Sequence, residues 1–343
     1  MNVLFDPKEY YKRQVVLYEL GPKGQEKLRK AKVLVVGVGG LGTASTLYLA
    51  LAGVGYIRLV DQDVIELSNL HRQVLFSLND FRIPKVEAAA KRINEINPEV
   101  EVDPIPDNIR DENVDEIVKG VDCIVDGLDN MRTRYLINRA SVKYKIPYVF
   151  GGAIGLEGNI AVLSPPETAC LECFLPDLDD ARLPTCETRG VLGATTGIVG
   201  SIQAMEAIKL LAGINSGLKG KLLVCDFTGM DFYVVNIDKN PKCKVCGEEI
   251  EIVHEIKRSL TWLCGSNTVN VNPPKPLNID LSKAYEILKN KFKILVKSSL
   301  ALTFSYGDDI EVTLFKRGRM LIRNIKSEDD ALKIYEEIIK TIS

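Results

Sequence analysis

Six residues, Gly37-Val-Gly-Gly-Leu-Gly42, separate the apolar run Lys32 to Val36 from a stretch of small residues and leucines. Glycines at Gly37, Gly39, Gly40 and Gly42 allow a tight turn, close approach of backbone to phosphate, and contact between strand and helix. The helix start that follows offers free N–H groups to an anion. Alone, this pattern indicates a nucleotide, and a dinucleotide is its usual occupant. Asp61 and Asp63 end the next β-branched run, Tyr56 to Val60, where a ribose hydroxyl would meet a carboxylate. Ser68, Asn69, Arg72 and Gln73 follow directly, and Lys85 comes after Pro84. A guanidinium and an ammonium behind a glycine loop suit a triphosphate better than the diphosphate of a dinucleotide. Asp129 and Asn130 fall just past a further strand, where an oxygen ligand suits Mg²⁺. Asp126, the last strand residue, competes for that role and equally suits a backbone cap.

Four of the eight cysteines form two Cys-x-x-Cys pairs, Cys170/Cys173 and Cys243/Cys246. Four thiolates match tetrahedral structural Zn²⁺, here joining distant segments. Two redox pairs are the alternative, but neither pair sits on the strand-to-helix turn that redox motifs use. Cys186 lies in the loop Leu183 to Gly190 near Arg189, where a lowered pKa would make it a nucleophile; otherwise it is a passive loop residue. Cys123 and Cys225 sit inside strand patterns and are expected to be core residues, and Cys264 is ambiguous.

The elements that position these residues alternate. Strands are expected at 32–37, 56–60, 121–126 and 148–150, with helices at 41–51, 84–94 and 130–144, after a charged helical lead-in over 1–30. This order predicts an α/β fold with a doubly wound, mainly parallel sheet. An extended arm at 157–163, an irregular loop over 174–193, a helix at 195–211 and a hairpin at 221–237 extend it in antiparallel fashion. The domains read as 1–250, with the cysteines; a linker at 251–276, suggested by Pro273-Pro274; and a small α+β module at 277–343. In that module a helix is expected at 280–290, a hairpin turning at Lys316 to Arg319, and a last helix with Ser327 and Asp330 as a capping pair.

Composition excludes several classes. The chain has 343 residues, 46% hydrophobic and 26% charged, enough for a large core. A net charge of -2 argues against nucleic acid as a partner. The most apolar stretch, Val191 to Ala212, is interrupted by Gln203, Glu206 and Lys209, so no membrane span is expected. The first residues lack the order of a secretory signal, and a cytoplasmic address is the default expectation.

Arg13-Gln14, Gly37 to Gly42, Asp61 and Asp63, Ser68 to Gln73, Lys85, Asp129-Asn130, the four cysteines and the Thr185-Cys186 loop occur in an order and spacing that resembles the ThiF/MoeB/HesA adenylyltransferases, relatives of the ubiquitin-activating enzymes. The resemblance spans roughly residues 10 to 250. It implies that ATP is held by the loop around Gly40 and by Asp61, with Asn69, Arg72 and Lys85 on the triphosphate and Asp129 on Mg²⁺. It implies a homodimer in which Arg13 reaches across as an arginine finger. The substrate would be a small ubiquitin-like protein ending in Gly-Gly, adenylated at its C-terminal carboxylate with release of pyrophosphate. It implies for Cys186 that it takes the activated acyl group or a persulfide, although some members of the family stop at the adenylate. An NAD(P)-dependent oxidoreductase and a nucleotide-binding scaffold for a ubiquitin-like partner are the alternatives. Apart from Cys264, residues 251–343 hold no cysteine, which argues against sulfur relay by a fused rhodanese domain. The module there reads as a stability or dimerisation appendage, or as a docking site for a partner.

Overall fold

Val33 to Val36 are all fully buried, which a short aliphatic run achieves only as a central strand covered on both faces. In a computed structural model that describes residues 5–185, 188–248, 260–262 and 267–342, this run is β1 (Lys32–Val36). β1 pairs in parallel with β2 (Tyr56–Val60) on one side and with β4 (Cys123–Asp126) on the other. Beyond β2 lies β3 (Glu101–Ile105), and beyond β4 lies β5 (Tyr148–Ile154), both also parallel. Then β6 (Glu157–Leu163), β7 (Lys221–Asp226) and β8 (Asp231–Asn236) add on antiparallel, giving the order β3-β2-β1-β4-β5-β6-β7-β8. The chain order reverses between β1 and β4, and ligands of open α/β sheets bind in the crevice at such a point.

Helices cover both faces. Gly40–Leu51, Lys85–Ile96 and Gly193–Ala212 pack on one side, where Leu49, Ile93 and Ala207 join the strand valines in one cluster. Met131–Tyr144 packs on the other, with Tyr135, Leu136 and Ile137. The lead-in is helical in three short pieces, Pro7–Tyr10, Lys12–Val15 and Gly21–Lys30. Gln14 anchors the middle piece by donating to Gln25 and to the Ala52 carbonyl, at 2.7 and 2.9 Å.

A second, antiparallel sheet has the order β11-β12-β13-β14-β10-β9. Its strands are β9 (Leu260–Trp262), β10 (Thr268–Val271), β11 (Lys293–Lys297), β12 (Ala301–Tyr306), β13 (Ile310–Phe315) and β14 (Met320–Arg323). Alternate side chains face opposite ways. Leu302, Phe304, Met320 and Ile322 pack under the helices Leu281–Leu288 and Glu328–Ile342, whereas Ala301, Phe315 and Leu321 pack with Val64 of the first sheet's domain. β10 corrects the expected linker: Thr268–Val271 is a buried strand, because Pro273-Pro274 comes after the strand has ended. The final helix starts as expected, with the Ser327 hydroxyl accepting from the Asp330 N–H at 3.1 Å.

Asp126 is not available to a metal. Its buried carboxylate takes Arg134 Nε at 2.9 Å, the Tyr148 hydroxyl at 2.7 Å and the Leu128 N–H at 2.8 Å. Arg134 in turn donates to the Leu128 and Gly151 carbonyls at 2.6 and 2.8 Å, tying the ends of β4 and β5 to the helix Met131–Tyr144. Removing one partner of such a pair strands the other charge in the interior. Asp126→Ala is expected to lower the unfolding free energy by about 3–5 kcal/mol in chemical denaturation.

Candidate functional site

The glycine loop closes because three backbones meet where side chains would collide. A Cβ on Gly42 would lie 1.9 Å from the Gly37 carbonyl oxygen, and one on Gly127 would lie 2.2 Å from the same atom. Gly37 itself has a φ of +84°, a left-handed conformation that favours glycine. Gly39 is the N-cap of Gly40–Leu51 and has no side chain to occupy the first N–H groups of that helix. They remain available to an anion at the positive end of the helix. Gly40 faces Thr196 so closely that a Cβ would stand 2.9 Å from its side chain, which places the start of Gly193–Ala212 against the loop. The same helix start contacts Arg72 from behind: a Cβ on Gly193 would lie 2.5 Å from the His71 carbonyl oxygen.

At the carboxyl end of β2, Asp61 is buried and both its oxygens take backbone donors, Val38 N–H at 2.7 Å and Asp63 N–H at 2.8 Å. The first of these bonds ties the acid directly to the glycine loop. Lys85, also buried, donates from Nζ to Asp63 at 3.0 Å. The charges are distributed unevenly. Burial pushes the Asp61 carboxyl above its usual value despite Lys85 nearby. Burial acts on Asp63 the same way, but Lys85, Arg323 and Arg319 outweigh it and hold that carboxyl below the usual range. Burial disfavours the charged Lys85, yet Asp63 and Asp61 together raise its pKa. Lys85 therefore enters the site as a firm cation.

The segment between Asp63 and Lys85 is ordered by local pairing. Glu66 and Asn69 form a reciprocal capping pair around the turn Leu67–Asn69, with the Glu66 N–H donating to Asn69 Oδ1 at 3.1 Å. Arg72 folds back on the carbonyl of Ser68 at 2.8 Å. Gln73 is buried with its carbonyl oxygen unpartnered, and its amide nitrogen faces Gly39. Across the crevice Asp129 is exposed at the end of β4, where it receives the Asn130 side-chain amide at 3.0 Å; its charge contributes to raising Lys85. Asp129 is exposed and its carboxylate takes one amide donor, which leaves it open to a metal in a way that the fully engaged Asp126 is not. Asn130 is the N-cap of Met131–Tyr144 and accepts from the Thr133 N–H at 2.9 Å.

Sequence reasoning missed Asp180. It accepts from the Met131 and Arg132 N–H groups at 2.6 and 3.0 Å, filling the helix start beside Asp129 from a loop far along the chain. No local signal points to that pairing. Thr196 was also missed, although the small residues Gly193 to Gly197 are suited to close packing.

The four paired cysteines converge. Their sulfurs all lie within 4.8 Å of one another, with Cys170–Cys243 at 3.7 Å, Cys173–Cys246 at 3.3 Å and Cys170–Cys173 at 4.0 Å. A tetrahedral zinc with sulfurs at about 2.3 Å would hold them about 3.8 Å apart, so the set can bind zinc. The site is also tied to the fold: Glu172, between the first pair, receives Arg139 at 3.1 Å and Asn138 at 3.1 Å. Cys123 is buried as expected, and burial pushes its thiol up to about 12.

One of the expected residues is not brought into this cluster. Arg13 is exposed on Lys12–Val15 and makes no hydrogen bond or ion pair with the described site residues. Cys186 lies outside the described residues, as does Cys264. Next to Cys186, Thr185 and Thr188 bond reciprocally, the Thr185 N–H to the Thr188 hydroxyl at 2.9 Å and the Thr188 N–H to the Thr185 hydroxyl at 3.2 Å. Arg189, expected near that cysteine, pairs with Glu157.

Comparison with known proteins shows the family. The ThiF family model matches residues 11–245. A sulfur carrier protein adenylyltransferase of Thermus thermophilus is 42% identical over 245 residues, covering 70% of this chain and 90% of that one. A SAMP-activating enzyme E1 of Haloferax volcanii is 43% identical over 69% of this chain and 88% of its own. Escherichia coli MccB, in a crystal structure with ATP, superposes with a TM-score of 0.59 at 26% identity, over 66% of this chain and 68% of that chain. Among the described residues no helix is long and apolar enough to cross a membrane. The chain belongs to the ThiF family and is an adenylyltransferase.

Proposed function

We propose that this chain uses ATP to adenylate the C-terminal glycine of a small ubiquitin-like sulfur carrier ending in Gly-Gly. The observation that carries the reading is the joining of an uncapped glycine-loop helix start to the Asp61–Asp63–Lys85 cluster, with the exposed carboxylate of Asp129 near enough to act on Lys85. Three relatives support the substrate class: the Thermus thermophilus enzyme, the Escherichia coli sulfur carrier protein ThiS adenylyltransferase at 38% identity, and Culex quinquefasciatus adenylyltransferase and sulfurtransferase MOCS3 at 41%. This chain spans only 55% of the length of the last of these.

In this reading the loop N–H groups at Gly39 to Gly42 receive phosphate oxygens, and Asp61 receives the ribose hydroxyls on its remaining lone pairs. Ser68, Asn69, Arg72, Gln73 and Lys85 hold the triphosphate, with Asn130 supporting Asp129. Asp129 would hold Mg²⁺, which supplies neutralisation of phosphate charge. The carrier's carboxylate oxygen attacks the α-phosphorus, the bond to the bridging oxygen of the β-phosphate breaks, and pyrophosphate departs with that electron pair. The attacking carboxylate is already ionised, so positioning and charge neutralisation suffice without a general base. A homodimer would let Arg13 reach the partner subunit's nucleotide. Val16, Leu17 and Tyr18, exposed beside it, suit burial against a second copy. The carrier has a suitable platform at β8, where Phe232, Tyr233, Val234 and Val235 are exposed on the outer edge of the sheet. The Cys186 thiolate would then attack the acyl carbon of the adenylate, forming a thioester as the bond to AMP breaks and AMP leaves. The cysteine cluster would hold structural Zn²⁺, and residues 1–250 would be the adenylating unit, working in the cytoplasm.

Carrier-dependent exchange of labelled pyrophosphate into ATP is the direct test, and its absence with every Gly-Gly-ended carrier would refute the assignment. Asp129→Ala is expected to lower that exchange by about 10²-fold or more while leaving the circular dichroism spectrum unchanged. Elemental analysis of purified protein should find zinc at one equivalent per chain, and Cys243→Ser should lose it together with thermal stability.

A further inference from the structure

The family match ends at residue 245, and the second sheet begins beyond it at Leu260. That sheet does not hang free of the nucleotide site. Arg319, just before β14 and 2% exposed, crosses the seam. Its Nη2 donates to the Gln62 carbonyl at 2.7 Å and to the Pro106 carbonyl at 3.0 Å, and its Nη1 to Asn270 Oδ1 at 2.9 Å. The guanidinium lies 3.7 Å from the ring of Phe315, and Nε stands 3.9 Å from Asp107. Gln62 is the residue between Asp61 and Asp63, and Pro106 follows β3. One buried cation therefore fixes the backbone at the ends of both β2 and β3.

A second arginine holds the next part of the segment. Arg323 Nε donates to Glu66 at 3.2 Å and Nη1 to Glu311 at 3.2 Å, and Glu311 also receives Arg82 Nε at 2.7 Å. Glu66 is the residue that caps the turn carrying Asn69. Arg82 lies just ahead of Pro84 and Lys85, and its backbone is in the left-handed region with a φ of 67°. Ser299 donates its N–H and hydroxyl to Glu87, in the first turn of the helix that Lys85 begins, at 2.8 Å each. Val64 is packed into the apolar cluster of Ala301, Phe315 and Leu321. Between Asp61 and Glu87 the second sheet's module thus touches the chain at Gln62, Val64, Glu66, Arg82 and Glu87, and Asp63, Asn69, Arg72, Gln73 and Lys85 lie between those points of attachment.

We propose that the second sheet is a positioning element for ATP, in which Arg319 sets the Asp61–Asp63 turn and Arg323, through Glu66, sets Asn69. This inference rests on the nucleotide reading of Asp61 to Lys85, and it assigns to the module a role different from carrier docking or dimerisation. Neither arginine touches substrate; both act through residues that would.

The test uses the full chain and direct titration with ATP alongside pyrophosphate exchange. Arg323→Gln keeps Arg319 and the Val64 cluster in place, so the sheet should stay docked. A lost charge-assisted bond to Glu66 is expected to raise both the Kd and the KM for ATP roughly tenfold. The KM for the carrier should stay within about twofold, since a positioning role acts on the nucleotide alone. Glu66→Gln should give the same rise, and the double variant should be no worse than either alone, because the two residues act as one link. Arg323→Lys should restore part of the affinity, and Arg317→Gln, an exposed neighbour in the turn before β14, should change nothing. An unchanged ATP Kd in Arg323→Gln, with only a lower Tm, would overturn the proposal, as would additive effects of the two glutamine variants or a rise confined to the carrier's KM. Wild-type protein that binds ATP without exchanging pyrophosphate would refute the carrier reading and leave the Kd comparison decisive for this one. Wild-type protein that binds no ATP would remove both.

Discussion

The site depends on the contact of three glycine backbones at the point where the sheet changes direction. With any side chain at Gly42 or Gly127, the Gly37 carbonyl could not lie where it does, and the ends of β1 and β4 would separate from the helix Gly40–Leu51. Their closeness puts the open N–H groups of that helix, the acid at the end of β2 and the exposed carboxylate after β4 around one crevice. Val38 then supplies the stitch: its N–H donates to Asp61, so loop and acid move as a unit. In the proposed nucleotide reading, a loop and an acid that are already joined would lose little entropy on binding.

Around that frame the charges do different work. Asp61 is buried and has both oxygens occupied by N–H donors, so it holds shape while keeping lone pairs for hydroxyl groups. Asp63 anchors Lys85. Without that anchor a buried ammonium would lose its proton readily, because burial penalises its charge. With it, Lys85 stays a cation in a place that water reaches poorly, where its attraction for the proposed phosphate would be least screened. Asp126 carries no such duty. It is consumed by Arg134 and Tyr148, and what it secures is the carboxyl end of β4, from which Asp129 projects.

Much of this was legible in the sequence, for identifiable reasons. The glycine loop, the acids and the cysteine pairs are short motifs whose chemistry depends on spacing along the chain. The parallel strands were legible because buried β-branched runs leave few alternatives. β3 was not: Glu101–Ile105 carries two acids and Pro104, a composition tolerated only on an edge strand, which is where it lies. β10 was read as linker because the prolines just beyond it dominated the pattern. The seam between the sheets was invisible, since Arg319, Arg323 and Asp180 find partners far away in sequence and nothing local distinguishes them from solvated charges. The glycine loop by itself also fitted a dinucleotide; Lys85 and the residues from Ser68 to Gln73 moved the reading toward a triphosphate.

The same logic of distant anchoring governs the loop that leads to Cys186. It leaves the cysteine cluster at Cys173, and Glu172 there grips Arg139 and Asn138 on the helix Met131–Tyr144. Seven residues later Asp180 binds the N–H groups at the start of that same helix, one residue beyond Asn130. The loop is therefore fastened to one helix at both its middle and its first turn, and the far side of the cysteine cluster is held by Cys243 and Cys246. A metal that draws the four sulfurs together would fix Glu172, and through the helix it would fix the position of Asp129 in the crevice. The carboxylate proposed to hold Mg²⁺ directly precedes a helix that the cysteine-bearing segment helps to fasten.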